Sequence, residues 1–137
     1  MSLLLALALA QQLPHALSPG TYVFETNARN ASGPICTEQW ELRADGTMTI
    51  RSGQEVVEKT YLLRQDRDGD WITATSVSTN HKPDCTGSVT KRVVKLPNSR
   101  LVVAFNSGSI AVCPPPGHAP DGAPFVTDCF ATLKRVE

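Results

Sequence analysis

The chain has 137 residues, and its 13 Lys and Arg balance 13 Asp and Glu, with an isoelectric point near 6.8. That length builds one domain around one hydrophobic core. The balance of charge gives no electrostatic drive toward nucleic acid or an anionic membrane surface, and those partner classes are set aside.

The N-terminal stretch opens with a short apolar run, Leu3 to Ala10, in which Ala8 and Ala10 place small residues where a signal peptidase accepts them. The run is too short to span a bilayer, which argues against a transmembrane anchor. It predicts a signal peptide over residues 1–16, His15 included, followed by a single β domain over residues 17–137. No Lys or Arg precedes the run, so the basic start of the leader is expected upstream of Met1. The expected location is the periplasm or the outside of the cell.

Beyond residue 20, short alternating segments rich in Val, Ile, Thr and aromatics are separated by turn residues every ~8–12 positions. Strands are predicted at residues 20–26, 37–43, 47–51, 55–64, 71–78, 88–96, 100–106, 109–113 and 125–136. No repeat or linker divides them. The expected fold is all-β, a single antiparallel up-and-down barrel of about 8–9 strands stapled by disulfides.

One hairpin, WELRADGTMTI, is legible to the residue. A two-residue loop at Asp45-Gly46 would pair Leu42 with Thr49 and turn the apolar residues of the two strands to opposite faces. A three-residue loop, Ala44-Asp45-Gly46, pairs Leu42 with Met48 and Trp40 with Ile50, uniting all four on one face. Gly46 then takes the left-handed position, and its replacement by Val is expected to cost more than that of Gly53. Further on, Asp66-Arg67-Asp68-Gly69-Asp70 alternates three carboxylates, but Val77 stands where an EF-hand loop needs its bidentate Glu. A solvated hairpin turn is expected there. Lys91, Arg92, Lys95 and Arg100 interleave with Val93, Val94 and Leu96, as on the wet face of a strand.

Four cysteines allow three pairings. His81 lies four residues before Cys85, yet no CxxC pair exists to seed a zinc site, and disulfides are expected instead. With nine strands running up and down, the connections around residues 27–35 and 79–87 fall at one end. The proline-rich connection, residues 114–124, falls at the other. That parity selects Cys36–Cys85 and Cys113–Cys129, the second as a staple on a long hairpin.

No GxSxG, HExxH or SxxK motif is present, and no metal or cofactor is expected. His118 and Asp121 sit among Pro and Gly, and a solvated turn histidine is expected there rather than an acid–base pair. Glu55 and Glu58 fall on opposite strand faces and cannot flank one bond. Asn30-Ala31-Ser32 is a glycosylation sequon if the source is eukaryotic. Trp40, Tyr61 and Trp71 are expected as core aromatics. The candidate binding residues are Arg29, His81, Lys82 and Asp84, exposed on two long loops tied by Cys36–Cys85.

The stretches PGTYVFE and WELRADGT resemble small secreted β-barrels of the lipocalin-like (calycin) type. Gly20-Thr21-Tyr22 stands where lipocalins open their first strand with Gly-x-Trp, with Tyr in place of Trp. Thr127-Asp128-Cys129 is similar to the lipocalin Thr-Asp-Tyr motif but falls in the last predicted strand. The chain is short for a lipocalin and has no clear C-terminal helix. The resemblance implies a barrel open at one end that binds an apolar ligand. The closing stretch also resembles small periplasmic inhibitors of cell-wall hydrolases, which present loops to an enzyme cleft. The expected function is therefore a monomeric, non-enzymatic binding protein of the cell envelope, its partner a small ligand or, as the alternative, a secreted hydrolase that it inhibits.

Overall fold

A computed structural model describes residues 13–29, 33 and 35–136 of the chain. The apolar run Leu3–Ala10 and the sequon at Asn30 lie outside the described residues. Ten strands form: β1 (Gly20–Arg29), β2 (Ile35–Leu42), β3 (Thr47–Ser52), β4 (Glu55–Asp66), β5 (Gly69–Thr79), β6 (Asn98–Ala104), β7 (Ser109–Cys113), β8 (Gly117–His118), β9 (Pro124–Phe125) and β10 (Ala131–Val136). Eight of them close a barrel in the order β1-β10-β7-β6-β5-β4-β3-β2, and every neighbouring pair is antiparallel. This is the up-and-down barrel that the alternating pattern predicts, and no helix occurs among the described residues. Closure leaves no long unpaired sheet edge except where neighbouring strands differ in length.

The predicted WELRADGTMTI hairpin, β2–β3, forms in the predicted register. Leu42 lies opposite Met48 and Trp40 opposite Ile50, and all four point into the barrel. Gly46 closes the turn by donating its N–H to the Arg43 carbonyl at 3.2 Å, with φ at +84°. The DRDGD segment is likewise a hairpin turn, between β4 and β5, and its three carboxylates diverge. Asp66 accepts from the Trp71 indole at 2.9 Å, Asp70 from the Ala16 amide at 2.7 Å, and Asp68 faces the His118 ring at 3.0 Å.

One predicted strand is corrected. Residues 88–96 carry the Val and Thr of a strand but form none. Propensity makes a strand only where a partner edge is available. Here β6 takes the edge of β5 over Asp70–Ala74. The chain leaving β5 is drawn across the barrel mouth to the β3–β4 turn, where Gln54 N–H donates to the Pro83 carbonyl at 3.0 Å and Cys85 bonds to Cys36. The stretch from Thr86 to Pro97 is the return path. Lys91, Arg92 and Lys95 are thus on a loop, and Arg100, on β6, shares the inward parity of Val102 rather than a wet face.

Losing one strand also moves the proline-rich connection, which was expected at the end opposite Cys36–Cys85. With seven strands before it, the chain leaves β7 at the same end as that disulfide. The pairings Cys36–Cys85 and Cys113–Cys129 both form, and no cysteine is left free. Strand parity no longer distinguishes the two ends for them. What joins Cys113 to Cys129 is the side-by-side placement of β7 and β10, with Val112 opposite Ala131. The last strand begins at Ala131, and Phe125 belongs instead to the small β8–β9 hairpin. That hairpin folds back along the outer wall, where His118 meets Asp68 at the far end of the barrel. Trp71, Leu101, Ala111 and Cys113 form an outward-facing cluster there and are buried even so.

The end with the Asp45 and Asp68 turns is sealed. Leu17, 1% exposed, plugs it against Tyr22, Met48 and Leu133. The segments on either side of it are held by side chains of the barrel: Gln65 donates to the Leu13 carbonyl at 2.8 Å, and Arg135 donates to the Pro19 carbonyl at 2.9 Å. His15 Nδ1 accepts the Leu17 N–H, so its Nε2 carries the proton and donates to the Trp71 carbonyl at 3.1 Å.

Candidate functional site

The opposite end is not sealed. Two adjoining spaces occupy it, an inner chamber of about 180 Å³ and a vestibule of about 530 Å³, which share Ile50, Lys59, Ala74 and Asn98 in their walls. The inner chamber rests on Met48, Ile72 and Val112, with Phe24 and Trp40 stacked at 4.8 Å as one wall. The vestibule lies under the return loop, which contributes Thr90, Arg92, Val93, Val94 and Leu96. The first part of that loop is anchored. Asn80 bridges to Gln54 and Val56, and Asp84 accepts three bonds from Thr86 and Ser88. From Val89 to Pro97 the only hydrogen bond among the described residues is from the His81 ring to the Thr90 carbonyl at 3.1 Å.

Charged side chains reach this cavity because strand alternation leaves them no other side. Glu38 lies two residues before Trp40, and Lys59 lies two after Val57 and two before Tyr61, all on inward parity. Glu55 is also turned in and is 8% exposed, whereas Glu58 points out to Thr49 and Arg43. The two glutamates occupy opposite faces, as their spacing predicts. Burial pushes the Glu38 carboxyl above the usual carboxylate range, against the opposing hydrogen bond from the Trp40 indole at 3.2 Å. Burial holds the Lys59 ammonium below the ordinary lysine range; Glu38 and Glu55 oppose that shift, and Arg100 adds to it. Lys59 makes no hydrogen bond or ion pair among the described residues. No fully sealed side-chain polar atom lacks a partner, so its ammonium opens onto the cavity.

The residues singled out from sequence are placed as follows. His81, Lys82 and Asp84 come together on the anchored part of the loop at the open end, but none of them lines either chamber. Asp84 is spent on its own turn. Arg29 ends β1 with its backbone opposite Ile35, and its side chain lies outside the described set. His118 meets Asp68, while Asp121 caps the Ala123 N–H at 2.9 Å, so the two do not pair. Trp40, Tyr61 and Trp71 are all buried, but only Trp40 faces the chamber. Of the cavity's polar residues, Glu38, Lys59 and Asn98 carry no expectation from sequence, while Arg92 and Arg100 were expected on the wet face of a strand. The signal for Glu38 was present: once Trp40 is assigned inward, so is the residue two before it. Among the described residues no cluster of metal-binding side chains occurs. Comparison of the chain with family models, curated proteins and solved structures found no match.

Proposed function

We propose that this chain is a secreted, non-enzymatic binding protein that holds a small ligand in the open half of its barrel. The observation that carries the reading is the chamber itself, apolar on its floor and met at its rim by a lysine that makes no hydrogen bond or ion pair among the described residues. Pockets of this make-up, apolar with a few fixed polar groups, are the usual form of small-molecule sites. An inhibitor that works through its loops has no use for such a space, and the interior here is packed only in its sealed half. Secretion is supported by the use of all four cysteines in disulfides, which persist in oxidising compartments.

The two indole N–H groups report on the reading separately, since Trp40 lines the chamber and Trp71 lies on the outer wall. Small neutral aromatics such as indole or benzyl alcohol should shift the Trp40 resonance and leave Trp71 in place. Ala74→Leu, which fills the wall shared by both spaces, should abolish the shift. If no small apolar solute moves the Trp40 resonance, the cavity is not a binding site.

A further inference from the structure

The polar groups on the wall of the inner chamber are Lys59, Asn98 and Arg100, two cations and an amide, while Glu38 and Glu55 line only the vestibule. Lys59 is half-buried and unpartnered among the described residues. Arg100 is held from one side: its Nη1 donates to Asn98 Oδ1 at 2.6 Å and to the Ser99 carbonyl at 3.1 Å. Its guanidinium lies 5.6 Å from the Phe130 ring centroid, and Nη2 has no partner among the described residues. Two cationic groups from β4 and β6 therefore face an apolar chamber with donors to spare. Glu38 and Glu55 act on Lys59 only across space, without a hydrogen bond, and an anion placed between Lys59 and Arg100 would give both a counter-charge in direct contact.

The size of the chamber limits what the anion can be attached to. A cavity near 150 Å³ lined by apolar side chains accepts benzene, and this one measures about 180 Å³. That is room for one ring and a short substituent. The stacked pair Phe24 and Trp40 suits a flat π-system on that wall. Resting on the binding function proposed above, we infer that the inner chamber takes a small aromatic monocarboxylate, its ring beside Trp40 and its carboxylate between Lys59 and Arg100. A cationic ring compound would instead meet Arg100 and Lys59 head on.

The test titrates the full chain with phenylacetate, benzyl alcohol and benzylamine, reading the Trp40 and Trp71 indole resonances. Phenylacetate should bind at least tenfold more tightly than benzyl alcohol, and benzylamine more weakly than either. Lys59→Met should remove the tenfold preference for phenylacetate over benzyl alcohol. Arg100→Gln should weaken phenylacetate more than benzyl alcohol, and an unmoved Trp71 resonance checks that each variant is folded. Benzylamine binding as tightly as phenylacetate, equal affinity for the acid and the alcohol, or a Lys59→Met variant that keeps the preference would each overturn the ligand class while leaving the cavity a binding site. Silence of Trp40 toward all three would overturn the binding function with it.

Discussion

The two halves of the barrel interior are built from the same strands and solve opposite problems. In the sealed half, Leu17, Tyr22, Met48 and Leu133 are at most 1% exposed and meet one another directly. In the open half the same alternation turns Glu38, Glu55, Lys59 and Arg100 inward around empty space. Burial in the first half stabilises the fold. In the second, desolvated charge works against it, and such groups persist where they serve binding or catalysis. The difference supports the open half as the candidate site more firmly than any single residue does.

Substitutions should separate the halves by sign as well as size. Leu133→Ala, at 0% exposure in the sealed half, should lower stability most, by about 2–5 kcal/mol in chemical denaturation. If it costs no more than a surface change, the sealed half is not the core.

Gly53→Val comes next, and here the comparison of glycines expected from sequence is reversed. Gly46 and Gly53 both have positive φ, but a Cβ on Gly46 meets only the Tyr61 carbonyl oxygen, at 3.6 Å. A Cβ on Gly53 would lie 2.7 Å from the Asp84 carbonyl carbon and 2.8 Å from the Cys85 amide nitrogen. The loop held by Cys36–Cys85 presses its backbone onto that turn. We expect a loss of about 2–4 kcal/mol for Gly53→Val, strain and clash together, and about 1–2 kcal/mol for Gly46→Val. Equal midpoints for the two variants would show that the loop gives way.

In the open half the sign should invert. Lys59→Met removes a desolvated ammonium that makes no hydrogen bond or ion pair among the described residues, and should raise stability by about 0.5–2 kcal/mol. A drop in melting temperature would mean that Lys59 is paired in solution. The smallest effect is expected for Glu38→Gln, which keeps an acceptor for the Trp40 indole. The folded-state pKa of Glu38 is raised, so below the unfolded value the native and variant proteins should be alike. As pH rises, the unfolded chain ionises first, and the native protein loses stability until its own Glu38 has ionised. The variant should therefore gain on the native protein between those two points and hold a constant lead above them. A lead that shrinks with rising pH would contradict a desolvated Glu38.

Local pattern determined a good deal by itself. Alternation marked the all-β class and eight strands close to where they form, since a half-buried strand must alternate whatever surrounds it. The register of the β2–β3 hairpin followed from Trp40, Leu42, Met48 and Ile50, because a slip of one residue would turn a whole strand inside out. The disulfide pairs were also legible, although the reason that holds is the adjacency of β7 and β10 and the shared mouth of the barrel. Only the closed tertiary structure decided the rest. Residues 88–96 have the composition of a strand and no edge to join, and an edge is a property of the assembled sheet. Their removal from the strand count brought the proline-rich connection to the other end and laid it along the outer wall. The chamber, too, exists only on closure, when Lys59 on β4 and Arg100 on β6 come to face one space although 41 positions separate them in the chain. Sequence periodicity tells which side of a strand a charge lies on; what stands across from it depends on how many strands close the ring.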